Sequence, residues 1–132
     1  MSAVAEPREP TFQPEERVAL AKGVREFNDG CYFECHDTLE DLWSGLRGDA
    51  RDFFQGLIQV AVGYYHLGND NPAGARSMFE RALRRFEKYP ARYFGFEVEQ
   101  QREQLRALLA GGLATGTLRP SWRFDDPASA EP

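Results

Sequence analysis

The sequence predicts an all-α fold: a compact bundle of about five helices, built from antiparallel helix hairpins and loosely like tetratricopeptide repeats, with no β-sheet. The first observation behind this prediction is that apolar residues recur at three- and four-residue spacings in five segments. The second is that turns rich in glycine, proline and asparagine separate those segments. The third is a weak internal echo, since stretches 27–43 and 65–83 each run from an aromatic residue through a glycine-bearing turn into a helix.

The first two predicted helices lie on either side of an asparagine–aspartate–glycine turn. Pro14 suits a first helical turn, and the acidic residues that follow it complement the helix dipole. Gly30 is a natural left-handed cap, so we expect the first helix to end just before it. The second helix covers about residues 32–46, and the arginine–glycine–aspartate sequence at 47–49 ends it.

The third predicted helix, about residues 50–67, is apolar on nearly every side. A helix of this kind belongs at the centre of a bundle. Gly56 and Gly63 lie seven positions apart, and so on one side of it, and each costs roughly 1 kcal/mol in helix propensity relative to alanine. Because close approach of another helix would compensate that cost, we expect a neighbouring helix on this side.

Two further helices and a tail complete the chain. We expect the fourth helix over about residues 72–88, ended by Pro90, and the fifth over about residues 96–109. Trp122 and Phe124 would expose a large apolar area on a free tail, so we expect the tail to dock on the bundle. The domain organisation is therefore a flexible lead-in at 1–13, a helical bundle domain at 14–110, and a loop with a docked C-terminal tail at 111–132.

Composition restricts the class of protein and its surroundings. The chain has 132 residues, of which 42% are hydrophobic and 13% aromatic, so one domain can build a core without disulfide or metal support. The net charge of −5 argues against a nucleic-acid partner. The sequence has no long apolar span and no signal-peptide pattern, and Cys31 and Cys35 suit reduced thiols. We therefore expect a cytoplasmic protein with no membrane partner.

The second helix carries the most informative polar pair. His36 and Glu40 lie four positions apart, and at about 100° per residue they fall on the same face as Tyr32 and Trp43. We expect this aromatic face to be buried, whereas the other acids of the helix form a solvated face. Glu40 is then the exceptional acid. Its pairing with His36 is either a structural hydrogen bond inside the core or one half of a site.

The third helix carries a matching polar stripe. Gln59 and His66 lie seven positions apart on a helix with few other polar residues. If the second and third helices pack antiparallel, as their short connection implies, then His36 and Glu40 can meet Gln59 and His66 across the interface. The candidate site residues are His36, Glu40, Gln59, His66, Tyr32 and Trp43.

The fourth helix is rich in basic residues. Arg81, Arg85, Lys88 and Arg92 share one face, and acidic residues are interspersed around it. A solvated helix face is the simpler interpretation, and a surface for an acidic partner is the alternative.

Two separated blocks of the sequence resemble a known family. The stretches "FNDGCYFECHDTLEDLW" and "RDFFQGLIQVAVGYYHLGNDNPAGARSMFERAL" are similar to the small all-helical domain-of-unknown-function family 309. The matching family positions are Glu34, His36, Glu40, Trp43, Gln59, His66, Asn69, Gly74 and Ala75. Asp37 stands where the family usually has glutamate. The resemblance implies an all-α bundle whose activity is not established, and some members are classified as predicted metal-dependent hydrolases.

Three functions fit these observations. A binding module would take a peptide or small molecule in an aromatic groove between the helix hairpins. A structural protein would form homo-oligomers through its phenylalanine-rich faces. A metal-dependent hydrolase would hold a divalent metal with His36, Glu40 and His66, with Gln59 orienting a water. Without metal, His36 would serve as a general base held by Glu40. Together, the binding and structural functions are favoured over the enzyme.

Overall fold

The computed structural model describes residues 6–113 and 120–130. Within them the helices are α1 (Pro14–Asn28), α2 (Tyr32–Trp43), α3 (Gly48–Gly68), α4 (Pro72–Phe86) and α5 (Val98–Ala110). Two short strands, β1 (Arg92–Tyr93) and β2 (Phe96–Glu97), lie between α4 and α5, and a 3₁₀ turn (Pro127–Ala130) follows in the tail. The predicted helical bundle is confirmed, and each helix lies within a few residues of its expected position.

Successive helices pack against each other as antiparallel hairpins. Each helix from α1 to α4 contacts the next one along the chain. Phe33 at the start of α2 contacts Tyr65 near the end of α3, with ring centroids 5.7 Å apart. At the other end of the same pair, the guanidinium of Arg51 lies 3.7 Å from the ring centroid of Trp43. Contacts that join the start of one helix to the end of the next require an antiparallel arrangement, as the short connections predict.

α3 is the central helix of the bundle. It is packed on one side by α2 and on the other by α4, and residues on all sides of it are buried, including Phe53, Phe54 and Leu57. Burial of one such side chain stabilises the fold by about 1.5–3 kcal/mol. Although α3 has 21 residues, no helix in the described part of the chain is both long enough and apolar enough to cross a bilayer.

The two glycines of α3 face rings of α4. A Cβ atom at Gly56 would lie 2.8 Å from Cε1 of Phe86, and a Cβ atom at Gly63 would overlap the ring of Phe79. Both rings are fully buried. The close neighbour that the glycines predict is therefore present: the ring of a phenylalanine occupies the space that a side chain on α3 would need.

The expectation of no β-sheet was wrong. β1 and β2 pair antiparallel, and Phe96 also bridges to Phe124 in the tail. The turn between the strands places Phe94 and Gly95 at φ 46° and 83°, the left-handed conformations of a two-residue hairpin. The Tyr-Phe-Gly-Phe sequence of this hairpin lacks the usual asparagine–glycine signal. Phe96 lies in β2, and the fifth helix begins at Val98.

Both ends of the described chain pack on the helices. Phe12, before α1, is buried and makes edge-to-face contacts with Phe54 and Phe94 at centroid distances of 5.7 and 5.5 Å. In the tail, Trp122 is buried and lies against Phe27 of α1. The expected flexible lead-in and the expected loop fall partly outside the described residues, at 1–5 and 114–119.

A buried arginine joins α5 to the end of α4. Nη1 of Arg102 donates hydrogen bonds to the carbonyl oxygens of Phe86 and Tyr89, at 2.6 and 2.9 Å. Its other nitrogens donate to the carboxylate of Glu99, both at 3.3 Å. Carbonyls at a helix end have no partner inside the helix, so Arg102 supplies one. Hydrogen bonds from Arg102 lower the pKa of Glu99, with a further contribution from Arg106.

Candidate functional site

The buried face of α2 differs from the expected one. Cys35, Leu39 and Leu42 are its buried residues, and they form a stripe centred roughly 90° from His36 around the helix axis. The side chain of Glu40 is 51% exposed and that of His36 is 28% exposed. The expectation that Glu40 is buried was therefore wrong. Phe33, an aromatic residue about 60° from His36 around the helix, is 50% exposed, so the aromatic residues do not mark the core side of this helix.

His36 makes two contacts with carboxylates at the surface. Its Nε2 pairs with Glu40, one helical turn later. Its Nδ1 lies 3.3 Å from Oδ1 of Asp37, whose side chain is 63% exposed. Because both carboxylates are largely in water, each pair contributes at most about 1 kcal/mol to stability. The histidine–glutamate pair is thus a surface feature of α2, and it is not a structural pair of the core.

Two exposed aromatic rings connect the histidines of α2 and α3. Phe33 and Tyr65 are 50% and 41% exposed, and their ring centroids are 5.7 Å apart. The ring of Phe33 lies 6.1 Å from that of His36, and the ring of Tyr65 lies 6.3 Å from that of His66. The row His36–Phe33–Tyr65–His66 is called here the aromatic–histidine surface. The sequence places Tyr65 in the aromatic groove of the binding-module hypothesis, with Tyr32, Tyr64 and Trp43, but it does not indicate Phe33 as a site residue, because apolar side chains on helices are usually assigned to the core.

His66 is positioned at the corner between α3 and α4. Its Nδ1 lies 3.4 Å from Nδ2 of Asn71, and its carbonyl oxygen accepts a hydrogen bond from the amide of Asn71 at 2.9 Å. The side-chain oxygen of Asn71 in turn accepts from the amide of Gly74 at 3.1 Å, which caps the start of α4. The α3–α4 corner therefore holds His66 at the end of the aromatic–histidine surface.

The three expected metal ligands do not form a metal centre. His36 and Glu40 are in contact, but the two histidines have different aromatic neighbours, Phe33 for His36 and Tyr65 for His66. In the part of the chain that the structure describes, no three histidine, cysteine, aspartate or glutamate side chains are grouped so that they could hold an ion. Catalytic zinc sites use three protein ligands. Within residues 6–113 and 120–130, the side chains therefore do not form the three-ligand set needed by the metal ion that the family resemblance implies.

Gln59 belongs to a different polar cluster, between α3 and α4. It is 5% exposed, and its Oε1 accepts a hydrogen bond from Nε of Arg85 at 3.2 Å. Nη1 of Arg85 is also paired with Asp52 of α3, and the same carboxylate pairs with Lys88. Asp52, Gln59, Arg85 and Lys88 form the α3–α4 polar cluster. The structure therefore turns Gln59 towards α4, and it does not join His36 and Glu40.

Tyr32 and Trp43 each pack on a residue of α3. The ring of Tyr32 stacks on that of Tyr64, with centroids 5.4 Å apart, and burial together with this neighbour raises the pKa of Tyr64. Trp43 lies beneath the guanidinium of Arg51 in a cation–π contact. Nη1 of Arg51 also donates to the carbonyl oxygen of Leu46 at 3.2 Å. These two aromatics support the α2–α3 hairpin at its two ends.

The fold and the aromatic–histidine surface define a small helical-hairpin protein with an exposed aromatic and acidic face on its second helix. Residues 20–78 match the family described as "Domain of unknown function (DUF309)". The matched segment contains all of α2 and α3 and parts of α1 and α4. The resemblance to family 309 is thereby confirmed over these residues, and the aromatic–histidine surface lies within them.

Two curated relatives are similar to this chain. The "Uncharacterized protein YpuF" of Bacillus subtilis (strain 168) is 39% identical over 54 residues, which are 40% of this chain and 31% of the relative. An "Uncharacterized protein" of Aquifex aeolicus (strain VF5) is 22% identical over 95 residues, which are 71% of this chain and 28% of the relative. The chain spans less than a third of the length of either relative.

Proposed function

We propose that this protein is a binding module that holds a basic segment of another protein on its α2–α3 hairpin. The observation that carries the proposal is the pair of exposed, mutually packed rings of Phe33 and Tyr65. Exposed aromatic side chains in a polar surrounding are typical of the residues that dominate protein–protein binding energy. The aromatic–histidine surface supplies such an apolar centre with a polar rim.

The charge around these rings determines which partner fits. α2 contains four acidic residues and no lysine or arginine; the acids are Glu34, Asp37, Glu40 and Asp41. Phe33, Asp37 and Glu40 follow at i, i+4 and i+7, so the ring and two carboxylates lie on one stripe of the helix. An arginine or lysine can pair with such carboxylates and also lie over an aromatic ring. The partner segment is therefore a basic one.

The existing contact of Glu40 does not prevent this binding. Glu40 is paired with His36, and both side chains are in contact with water. A surface ion pair is worth little, so an incoming guanidinium can replace the imidazole as the partner of Glu40 without a large loss of free energy. The exchange frees the ring of His36 to pack on the partner, next to Phe33.

The alternatives have less support. A metal-dependent hydrolase would need a third ligand beside His36 and Glu40, and the donor set described above lacks it. A homo-oligomer formed through this surface would oppose the acidic α2 of one copy to that of another, which like charges disfavour. We place the binding module in the cytosol, where Cys31 and Cys35, both free thiols, stay reduced.

Fluorescence anisotropy with labelled peptides tests the proposal. The probes are peptides of about 12 residues that combine arginine, lysine and leucine, and counterparts in which glutamate replaces each basic residue. We expect the basic peptides to bind and the acidic ones not to bind. Phe33→Ala and Tyr65→Ala should each weaken binding about thirtyfold, the value for a hot-spot residue worth about 2 kcal/mol.

Val18→Ala is the matched control, because Val18 is also an exposed apolar residue, at 68%, but lies on α1. This variant should bind as the wild type does. The proposal is wrong if basic and acidic peptides bind equally, or if Phe33→Ala binds no more weakly than Val18→Ala.

A further inference from the structure

We infer that the C-terminal half of α4 is a binding site for a small, highly charged oxyanion, such as the pyrophosphate group of a phosphorylated metabolite. The site is a surface concavity of about 270 Å³ that is lined by Arg81, Arg84, Arg85 and Lys88. All four side chains are cationic, and they converge on one space. The inference does not depend on the aromatic–histidine surface, which is formed by α2 and α3.

The four cations are crowded at spacings of three and four residues. Arg81 and Arg85 lie four positions apart within α4, so they place like charges one turn from each other, and Lys88 follows two residues after the helix ends. Such pairs destabilise a helix. The helix dipole favours basic residues in the last turn, where Arg84 and Arg85 lie, but it does not account for four cations lining one concavity. A bound anion would relieve their repulsion.

The protein neutralises the four cations of the concavity only in part. Asp52 pairs with Arg85 and Lys88. Among the described residues no carboxylate lies within ion-pair distance of Arg81 or Arg84, although Glu80 and Glu87 belong to the same stretch of chain. Four cations and the carboxylate of Asp52 leave an excess of three positive charges at the concavity.

The α3–α4 polar cluster fixes part of the site in advance. Arg85 is held at Nε by the buried amide oxygen of Gln59 and at Nη1 by Asp52. Its guanidinium is therefore oriented before any ligand arrives, which lowers the entropic cost of binding. Arg81 and Arg84 are exposed and free to close on a ligand from the solvent side.

Size and charge together select the ligand. The volume of about 270 Å³ is slightly below the usual range for sites that take drug-sized molecules. A pyrophosphate group is compact and carries several negative charges at neutral pH, and its oxygens can accept from the planar guanidinium groups of several arginines. A compact polyanion therefore matches this concavity better than a single carboxylate does.

Isothermal titration calorimetry of the full chain with pyrophosphate tests the inference. Inorganic phosphate, sulfate and a short single-stranded oligonucleotide are the comparison ligands, all at equal ionic strength. We expect one pyrophosphate per chain, weaker binding of phosphate and sulfate, and weaker binding as salt rises from about 50 to about 200 mM. Arg81→Gln and Arg84→Gln should each weaken the affinity about tenfold, the loss expected for one charged contact.

Arg76→Gln is the matched control, because Arg76 is an exposed arginine of α4 that does not line the concavity. It should change the affinity less than about twofold. Thermal melting checks that the variants fold. The inference is overturned if the wild type does not bind pyrophosphate, if Arg76→Gln loses as much affinity as Arg81→Gln, or if the oligonucleotide binds more tightly than pyrophosphate.

Discussion

Trp122 lies flat on Phe27, with ring centroids 3.8 Å apart and ring planes at 3°. Asn28, beside Phe27, adds two hydrogen bonds to the same residue. Its Oδ1 accepts from the amide of Trp122 at 2.7 Å, and its Nδ2 donates to the carbonyl oxygen of Trp122 at 3.2 Å. A single position of the tail is thus held on α1 by ring stacking and by its backbone.

Trp122→Ala should lower the free energy of unfolding by about 3–5 kcal/mol, because it removes a large buried ring and leaves a cavity against Phe27. Urea denaturation monitored by circular dichroism measures the change. Val18→Ala, on an exposed position of α1, is the control and should stay within about 0.5 kcal/mol of the wild type. A loss below about 1 kcal/mol for Trp122→Ala would show that the tail contributes little to stability.

Gly63→Ala should destabilise the protein by about 1–3 kcal/mol, because the new methyl group would overlap the ring of Phe79. This overlap outweighs the gain of roughly 1 kcal/mol in helix propensity. Gly68→Ala is the control, since a Cβ atom at that position would have no atom within 4 Å apart from its chain neighbours and the backbone of its own helix. Differential scanning calorimetry compares the two variants. A Gly63→Ala protein that melts above the wild type would contradict the close packing of α3 on α4.

Glu40→Gln should change the free energy of unfolding by less than about 1 kcal/mol, because its pairing with His36 is at the surface. If the pair were buried, removal of the charge would cost about 3–5 kcal/mol. Asp41→Asn, at the next exposed acid of α2, is the control for a general change in helix charge. Urea denaturation of both variants measures the change. A large loss in the free energy of unfolding for Glu40→Gln alone would show that the pair is buried.

Glu99→Gln should reduce stability at neutral pH but not at low pH. Hydrogen bonds from Arg102 lower the pKa of Glu99 below its ordinary value of 4.5. A lowered folded-state pKa means that the stabilising contribution is complete above the ordinary pKa and is lost as the pH falls through the folded-state value. The stabilities of wild type and variant, measured by urea denaturation from about pH 7 to about pH 3, should therefore converge in acid.

Glu103→Gln is the control for this pH series, because Glu103 is an exposed acid of the same helix. Its difference from the wild type should not follow the Glu99→Gln profile. A Glu99→Gln difference that grows as the pH falls would contradict the lowered pKa.

The candidate site could be predicted only in part from the sequence. The contact between His36 and Glu40 follows from their spacing on one helix, because residues four apart are neighbours whatever the rest of the chain does. The exposure of His36 and Glu40 does not follow from this spacing. α2 has apolar side chains over about half of its circumference, so local periodicity left two possible core faces. The packing on α1 and α3 selected the face of Cys35, Leu39 and Leu42.

Local sequence patterns also could not predict contacts between residues that are distant in the sequence. Gln59 is hydrogen-bonded to Arg85, 26 positions later. Phe96, before α5 in the sequence, forms a β-bridge with Phe124, after it. The amide of Gln59 could form its hydrogen bonds with several other partners. The ring of Phe96 could likewise be buried against several other elements. Such choices are made by the summed packing of all elements, and no short window of sequence contains that information.

The sequence by itself determined that the protein is a bundle of five helices with α3 at its centre. The signals for this are local: Pro14 and Gly30 limit α1, and the nearly continuous apolar surface of α3 can be satisfied only inside the bundle. Only the tertiary structure decided that Phe33 and Tyr65 face the solvent, and that three arginines of α4 and the lysine after it line one concavity. Helix formation depends on neighbours three and four residues apart, whereas the exposure of a side chain depends on which helix is packed beside it.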